Sequence, residues 1–291
     1  AGRSQQIFFT SEDTEILQQP DSFDVDFDKR AEFDASDMDS SAVNQKITAL
    51  LAEGHGTIAV ENPGAMHCLG VGILNRLHLS FEGSLGYFGC GLIDGPNIQI
   101  SGRVGWSCAE NMLSGTVIVE KNAGSTFGAA LRGGDLVCKG DVGSRTGIDM
   151  KGGTIIVGGR SGAFSGFMMQ RGRMVILGDA GVNLGDSMYD GTIFVGGKIE
   201  GLGVDAVTEK ITDSKPNGFH ISWQPMTSKC HGASRICPKW YPVRNSGITT
   251  ISSPQRRSSS YELADEEIIM TDSVKGSNNE TQTTKPSRDP N

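Results

Sequence analysis

A glycine that recurs every nineteen residues constrains this chain more than any other feature. The lead glycine of each unit falls at Gly115, Gly134, Gly153, Gly172 and Gly191, with Gly95 opening an earlier unit one residue longer. A second column follows nine residues on, at Gly124, Gly143, Gly162 and Gly181, and a third four further on, at Gly128, Gly147, Gly166 and Gly185. A fixed period of this length means one supersecondary unit repeated and stacked, a solenoid. After each lead glycine a short apolar strand is expected, over 116–119, 135–138, 154–157, 173–176 and 192–195. Strand side chains alternate faces. One face therefore carries Val117 and Val119, Leu136 and Cys138, Ile155 and Val157, Met174 and Ile176, Ile193 and Val195. Met112, Leu131, Met150, Met169 and Met188, again nineteen apart, form a second inward column that fills irregular gaps in a core. Gly140, Gly159, Gly178 and Gly197 are expected to end the strands at sharp turns. The fold class that follows is all-β: a parallel β-helix with three short sides per coil.

Ile118, Val137, Ile156, Val175 and Phe194 sit one step from the inward pairs and should point outward, yet all five are apolar. A parallel sheet that is apolar on both faces is covered on both sides. The cover is expected from the chain's own helix, arm or tail, or from another subunit, since apolar patches mark interaction sites. These five residues are the candidate interface.

Catalytic chemistry is hard to find. Gly70-Val71-Gly72 and Gly89-Cys90-Gly91 lack the following helix that a nucleotide loop requires. His55, His67 and His78 show no metal spacing, and Asp186 and Asp190 fall on expected turns. Cys230, His231 and Cys237, with His220 upstream, form the one metal-like cluster, without the paired spacing of a zinc module. No column of acids or aromatic rings recurs at nineteen, which argues against a carbohydrate-acting β-helix. No catalytic, cofactor-binding or metal-binding residue is expected in the chain.

Four stretches can be separated, grouped as three regions. Residues 1–38 read as an acidic flexible arm: between Ser11 and Asp39 eleven acids face only Lys29 and Arg30. Such a run is a solvated tether, or docks a basic partner. With a net charge of −8 overall, the remainder is close to neutral, which argues against nucleic acid as a partner. Residues 39–212 combine a short helix over 40–53, capped by Ser40 or Ser41, with the repeats. Residues 213–291 read as an irregular, largely disordered tail rich in Ser, Thr, Asn and Lys. The chain opens at Ala1, as expected of processing or trimming, and AGRSQQIFFT does not read as a signal peptide. The six cysteines show no disulfide pattern and no stretch is long enough to span a bilayer, so a soluble protein of a reducing compartment is expected, cytoplasmic or inside an organelle.

Residues 91–124 and 147–197, with their AENM, MKGG and LGDSMY segments, closely resemble the GXGXG domain. That domain forms the C-terminal region of the glutamate synthase large subunit and also occurs as stand-alone chains, such as the GXGXG subunit of N-methylglutamate synthase and related complexes. The resemblance implies a right-handed β-helix with a structural task. It implies partners as well: a glutaminase-type amidotransferase subunit and an FMN-binding, iron–sulfur synthase-like subunit, with both cofactors in the partner. The alternatives are a free-standing β-helix scaffold and a carbohydrate-acting one.

Overall fold

The structure is a computed structural model that describes residues 23–209, 220–222, 239–241 and 249–252. All of these fall in one compact unit, Ala1–Ser258. They form a parallel β-solenoid. The strands are β1 (Asp26–Asp34), β2 (His55–Glu61), β3 (His78–Glu82), β4 (Asn97–Ile100), β5 (Thr116–Val119), β6 (Asp135–Cys138), β7 (Lys151–Val157), β8 (Arg171–Ile176) and β9 (Thr192–Val195). Each pairs in parallel with the next in sequence order, so one strand of every coil contributes to one continuous sheet. Helix α1 (Ser40–Ala52) links β1 to β2. Its cap is Asp39, whose carboxylate accepts the Ala42 N–H at 2.8 Å, rather than either serine. Val43, Ile47 and Leu51 turn inward from it.

The register keeps like columns together: Val117 lies beside Leu136, then Ile155, Met174 and Ile193, all fully buried. The methionine column is buried too, from Met112 through Met150 and Met169 to Met188. The second side of each coil is reduced to single-residue bridges, running Leu85, Val104, Ala123, Val142, Ser161, Ala180, Ile199.

The third side is not a sheet. Each coil places three alternating residues in the left-handed region. Ser107, Ala109 and Asn111 have φ of 55°, 58° and 54°, and the next coil repeats this at Thr126, Gly128 and Ala130. Their N–H groups point alternately forward and back: Ser107 donates to Ser125 O ahead, Ala109 to Gly89 O behind, Asn111 to Ala129 O ahead. Left-handed backbone costs a non-glycine residue about 1–2 kcal/mol. From Cys68 to Met168 each such residue on this side makes an inter-coil bond that an open turn would leave to water, and the neighbouring coils fix the geometry from both sides. The middle, inward position is held by Cys90 and Ala109 in two earlier coils and by glycine from Gly128 on, where the core is tighter. A Cβ on Gly128 would lie 2.6 Å from Leu136 Cδ2.

The lead glycines have positive φ, from 75° at Gly153 to 112° at Gly191. Gly140, Gly159 and Gly197, expected to be glycine because the chain turns there, have a different reason. A Cβ on each would fall 2.1–2.4 Å from the side-chain oxygen of Asn122, Asp141 or Asp179. Those oxygens accept N–H groups of the following coil, at Asp141, Arg160 and Lys198. The glycine makes room for the cap.

Two regions depart from the expected division of the chain. Asp26–Asp34, placed within the flexible arm, is the first strand of the solenoid. Within the stretch expected to be irregular, Thr249–Ser252 forms a strand that lies antiparallel between β9 and the short Val207–Glu209 strand, β10. Ile251 pairs with Ile193 and is fully buried, extending the inward column by one step. His220–Ser222 (β11) and Lys239–Tyr241 (β12) pair antiparallel as a separate two-stranded sheet, which makes Thr249–Ser252 β13.

Candidate functional site

The outer stripe is buried without a second subunit. Ile118, Val137, Ile156, Val175 and Phe194 are 9, 1, 0, 6 and 8% exposed in the single chain. The first three pack on one another as a cluster distinct from the main core. Beside them Asp135 accepts a hydrogen bond from Thr154 and faces Arg173, but burial wins and raises its carboxyl above the usual range.

Most of the described thiols are shielded. Cys90, Cys108 and Cys138 are buried and only Cys68 of the described cysteines is exposed. The Cys90 thiol and burial together hold the Cys108 thiol well above its ordinary value. Burial pushes Cys138 up to about 12. A thiol that stays protonated is neither nucleophile nor metal ligand. Burial also lowers His78, whose Nδ1 has no hydrogen-bond partner, while the ring packs edge-on to Phe27 at 5.1 Å. Among the described residues no group of three or more His, Cys, Asp or Glu is placed to hold a metal ion. Cys230, His231 and Cys237 lie outside the described residues. Among the described residues no helix is long and apolar enough to cross a membrane.

What the sequence reading missed is a column of rings. His67, Tyr87 and Trp106 stack on successive coils, at 4.7 Å and 9° for the first pair and 5.3 Å and 24° for the second. His67 Nδ1 accepts the Tyr87 N–H at 2.8 Å, which fixes that ring. Each ring lies over the glycine one coil on: a Cβ on Gly86, Gly105 or Gly124 would fall within 2.6 Å of His67, Tyr87 or Trp106. The rings meet one another face to face, while Tyr87 and Trp106 remain 43 and 57% exposed. Its steps of twenty and nineteen residues hide it from a search at nineteen.

A column of acids gathers at the first coils. Asp34, Glu61 and Glu82 are in register on β1, β2 and β3. Ser36 and Asn62 donate to the Asp34 carboxylate and lower its pKa. Glu61 is raised, chiefly because its carboxyl meets that of Glu32. An open recess of about 650 Å³ lies beside this column, lined by Ala35, Met38, Asn62, Pro63, Glu82 and Ser84 among others. Further along the rod ion pairs join Lys139 to Glu120 at 2.6 Å, Lys151 to Asp149 at 2.5 Å and Arg160 to Asp141 at 3.5 Å.

The described residues thus form a rod of stacked coils with in-register glycines and three buried thiols. A family model described as the GXGXG motif matches residues 67–214, just over half of the 291 residues. The chain belongs to the GXGXG family. The match takes in β3 to β10 and leaves β1, α1 and β2 outside the GXGXG region. A protein named GlxC from Rhizobium meliloti (strain 1021) is 44% identical over 60 residues, which is 21% of this chain and 26% of that protein. The aligned part thus spans about a quarter of the relative.

Proposed function

We propose that this chain is a non-catalytic structural subunit of a glutamate-synthase-like amidotransferase and FMN oxidoreductase complex, of the N-methylglutamate synthase type. Its task is to hold a glutaminase-type subunit and a synthase-like subunit in fixed relative geometry, with FMN and iron–sulfur clusters bound by the partner. The observation that carries this reading is the family match over an uninterrupted stack of coils whose inward columns are aliphatic, methionine and protonated thiol. Such a rod resists bending, because every coil is bonded to both neighbours. Reduced thiols fit a reducing compartment. The outer stripe, in this reading, stabilises the rod itself, since it is closed off within the chain.

The test is native co-purification of the tagged chain, with mass spectrometry of what accompanies it and an absorbance spectrum. Recovery of a flavin-coloured synthase-like subunit together with a glutaminase is the expected result. A colourless chain eluting alone would overturn the proposal in favour of an independent scaffold.

A further inference from the structure

β1 is the terminal strand of the eleven-stranded sheet. It pairs with β2 on one side and, among the described residues, with nothing on the other. Seven of its nine residues are exposed; Ala31 and Phe33 are the others. An unpaired edge presents a row of N–H and C=O groups that templates a further strand. The register irregularity between Asp26 and Arg30 leaves Arg30 to Asp34 as the regular part of that edge.

Charge selects the occupant. Asp26, Asp28, Glu32 and Asp34 lie on the strand against Lys29 and Arg30, and the Lys29 ammonium turns back to donate to Glu53 O. The acidic column continues inward through Glu61 and Glu82. A second copy of the chain, added edge to edge, would set these carboxylates against their own kind about 5 Å away, which is unfavourable. A strand carrying Lys or Arg would instead relieve the crowding already present between Glu32 and Glu61.

We propose that β1 is a docking edge for an extended, Lys- or Arg-bearing segment of a partner protein, added as one further strand. Backbone bonds would supply affinity and the carboxylates would supply selection. The proposal stands on β1 and not on the identity of the complex, so either can fail while the other holds.

The test uses the full chain and two fluorescein-labelled eight-residue peptides. One alternates Val and Lys; the other has the same charge but Pro at its two central Val positions, so it cannot add as a strand. The alternating peptide is expected to bind about tenfold tighter or more, and hydrogen exchange is expected to slow within residues 26–34. The Asp28→Lys, Glu32→Lys double variant should lose that binding at least about tenfold with its melting temperature unchanged. Equal binding of both peptides would reduce the effect to simple charge attraction and overturn the proposal. So would slowed exchange elsewhere, or a dimer whose β1 amides are protected without peptide.

Discussion

Glycine acts in two distinct ways at Gly153 and Gly147, and substitution should separate them. At Gly153 φ is 75° and an added Cβ would sit 2.7 Å from Gly134 O, a backbone atom that cannot retreat. At Gly147 φ is 64°, but the nearest atom is the Met174 methyl at the end of a flexible side chain. Gly147→Ala should therefore cost about 1–2 kcal/mol, the left-handed penalty alone. Gly153→Ala should cost about 3 kcal/mol or more, because strain adds to it. Urea unfolding of the two variants checks the order; equal costs would mean that the coils shift freely. The thiols give a second expectation at this scale. Iodoacetamide near neutral pH should modify Cys68 and spare Cys90, Cys108 and Cys138, as read by mass spectrometry of the peptides. Raising the Cys138 thiol from 9.0 to about 12 means that the folded state keeps a proton the unfolded chain gives up. Stability from this group is fully present below pH 9 and falls toward pH 12, by up to about 1.4 kcal/mol per pH unit. Cys138→Ala should flatten that alkaline slope even while lowering stability overall.

Among the elements, β5 to β9 were legible because a nineteen-residue repeat aligns five copies of one pattern, and the strands begin within three residues of where it places them. β1 was legible in principle: Val25, Phe27, Ala31 and Phe33 alternate with Asp24, Asp26, Asp28, Glu32 and Asp34. The dense acids outweighed that period-two signal, since such composition reads as solvated chain. The left-handed third side showed only through its middle glycines, Gly128, Gly147, Gly166 and Gly185; Phe88, Arg145 and Met168 carry no residue-type mark of positive φ, and neighbouring coils impose it. The ring stack escaped for the reason that its first step is twenty residues. For the outer stripe, Ile156→Asp sets a charge among Ile118 and Val137 in a site with no exposure. It should destabilise the isolated chain by about 3 kcal/mol or more, measured by thermal melting without any partner. An unchanged melt with weakened partner binding would return the stripe to the role of an interface.

For the molecule as a whole, stability is close to a sum of coil terms and nearest-neighbour terms, so the ends matter more than in a globule. β13 joins the terminal strand β10 to the stack at one end: among the described residues β10 pairs only with it, and Ile251 extends the column above Ile193. A chain stopped at residue 209 should melt at lower temperature and self-associate, as light scattering after size exclusion would show. A monomer of unchanged stability would mean that β13 adds nothing. The in-register columns have one more consequence. Because Ser144 and Ala163 occupy the same place on successive coils, deleting residues 144–162 removes a whole turn and rejoins every ladder, while losing ten residues would misalign all of them. Rods of this kind should then grow and shrink across lineages only in whole coils, each adding about 4.8 Å, as a wall changes height only by complete courses of brick.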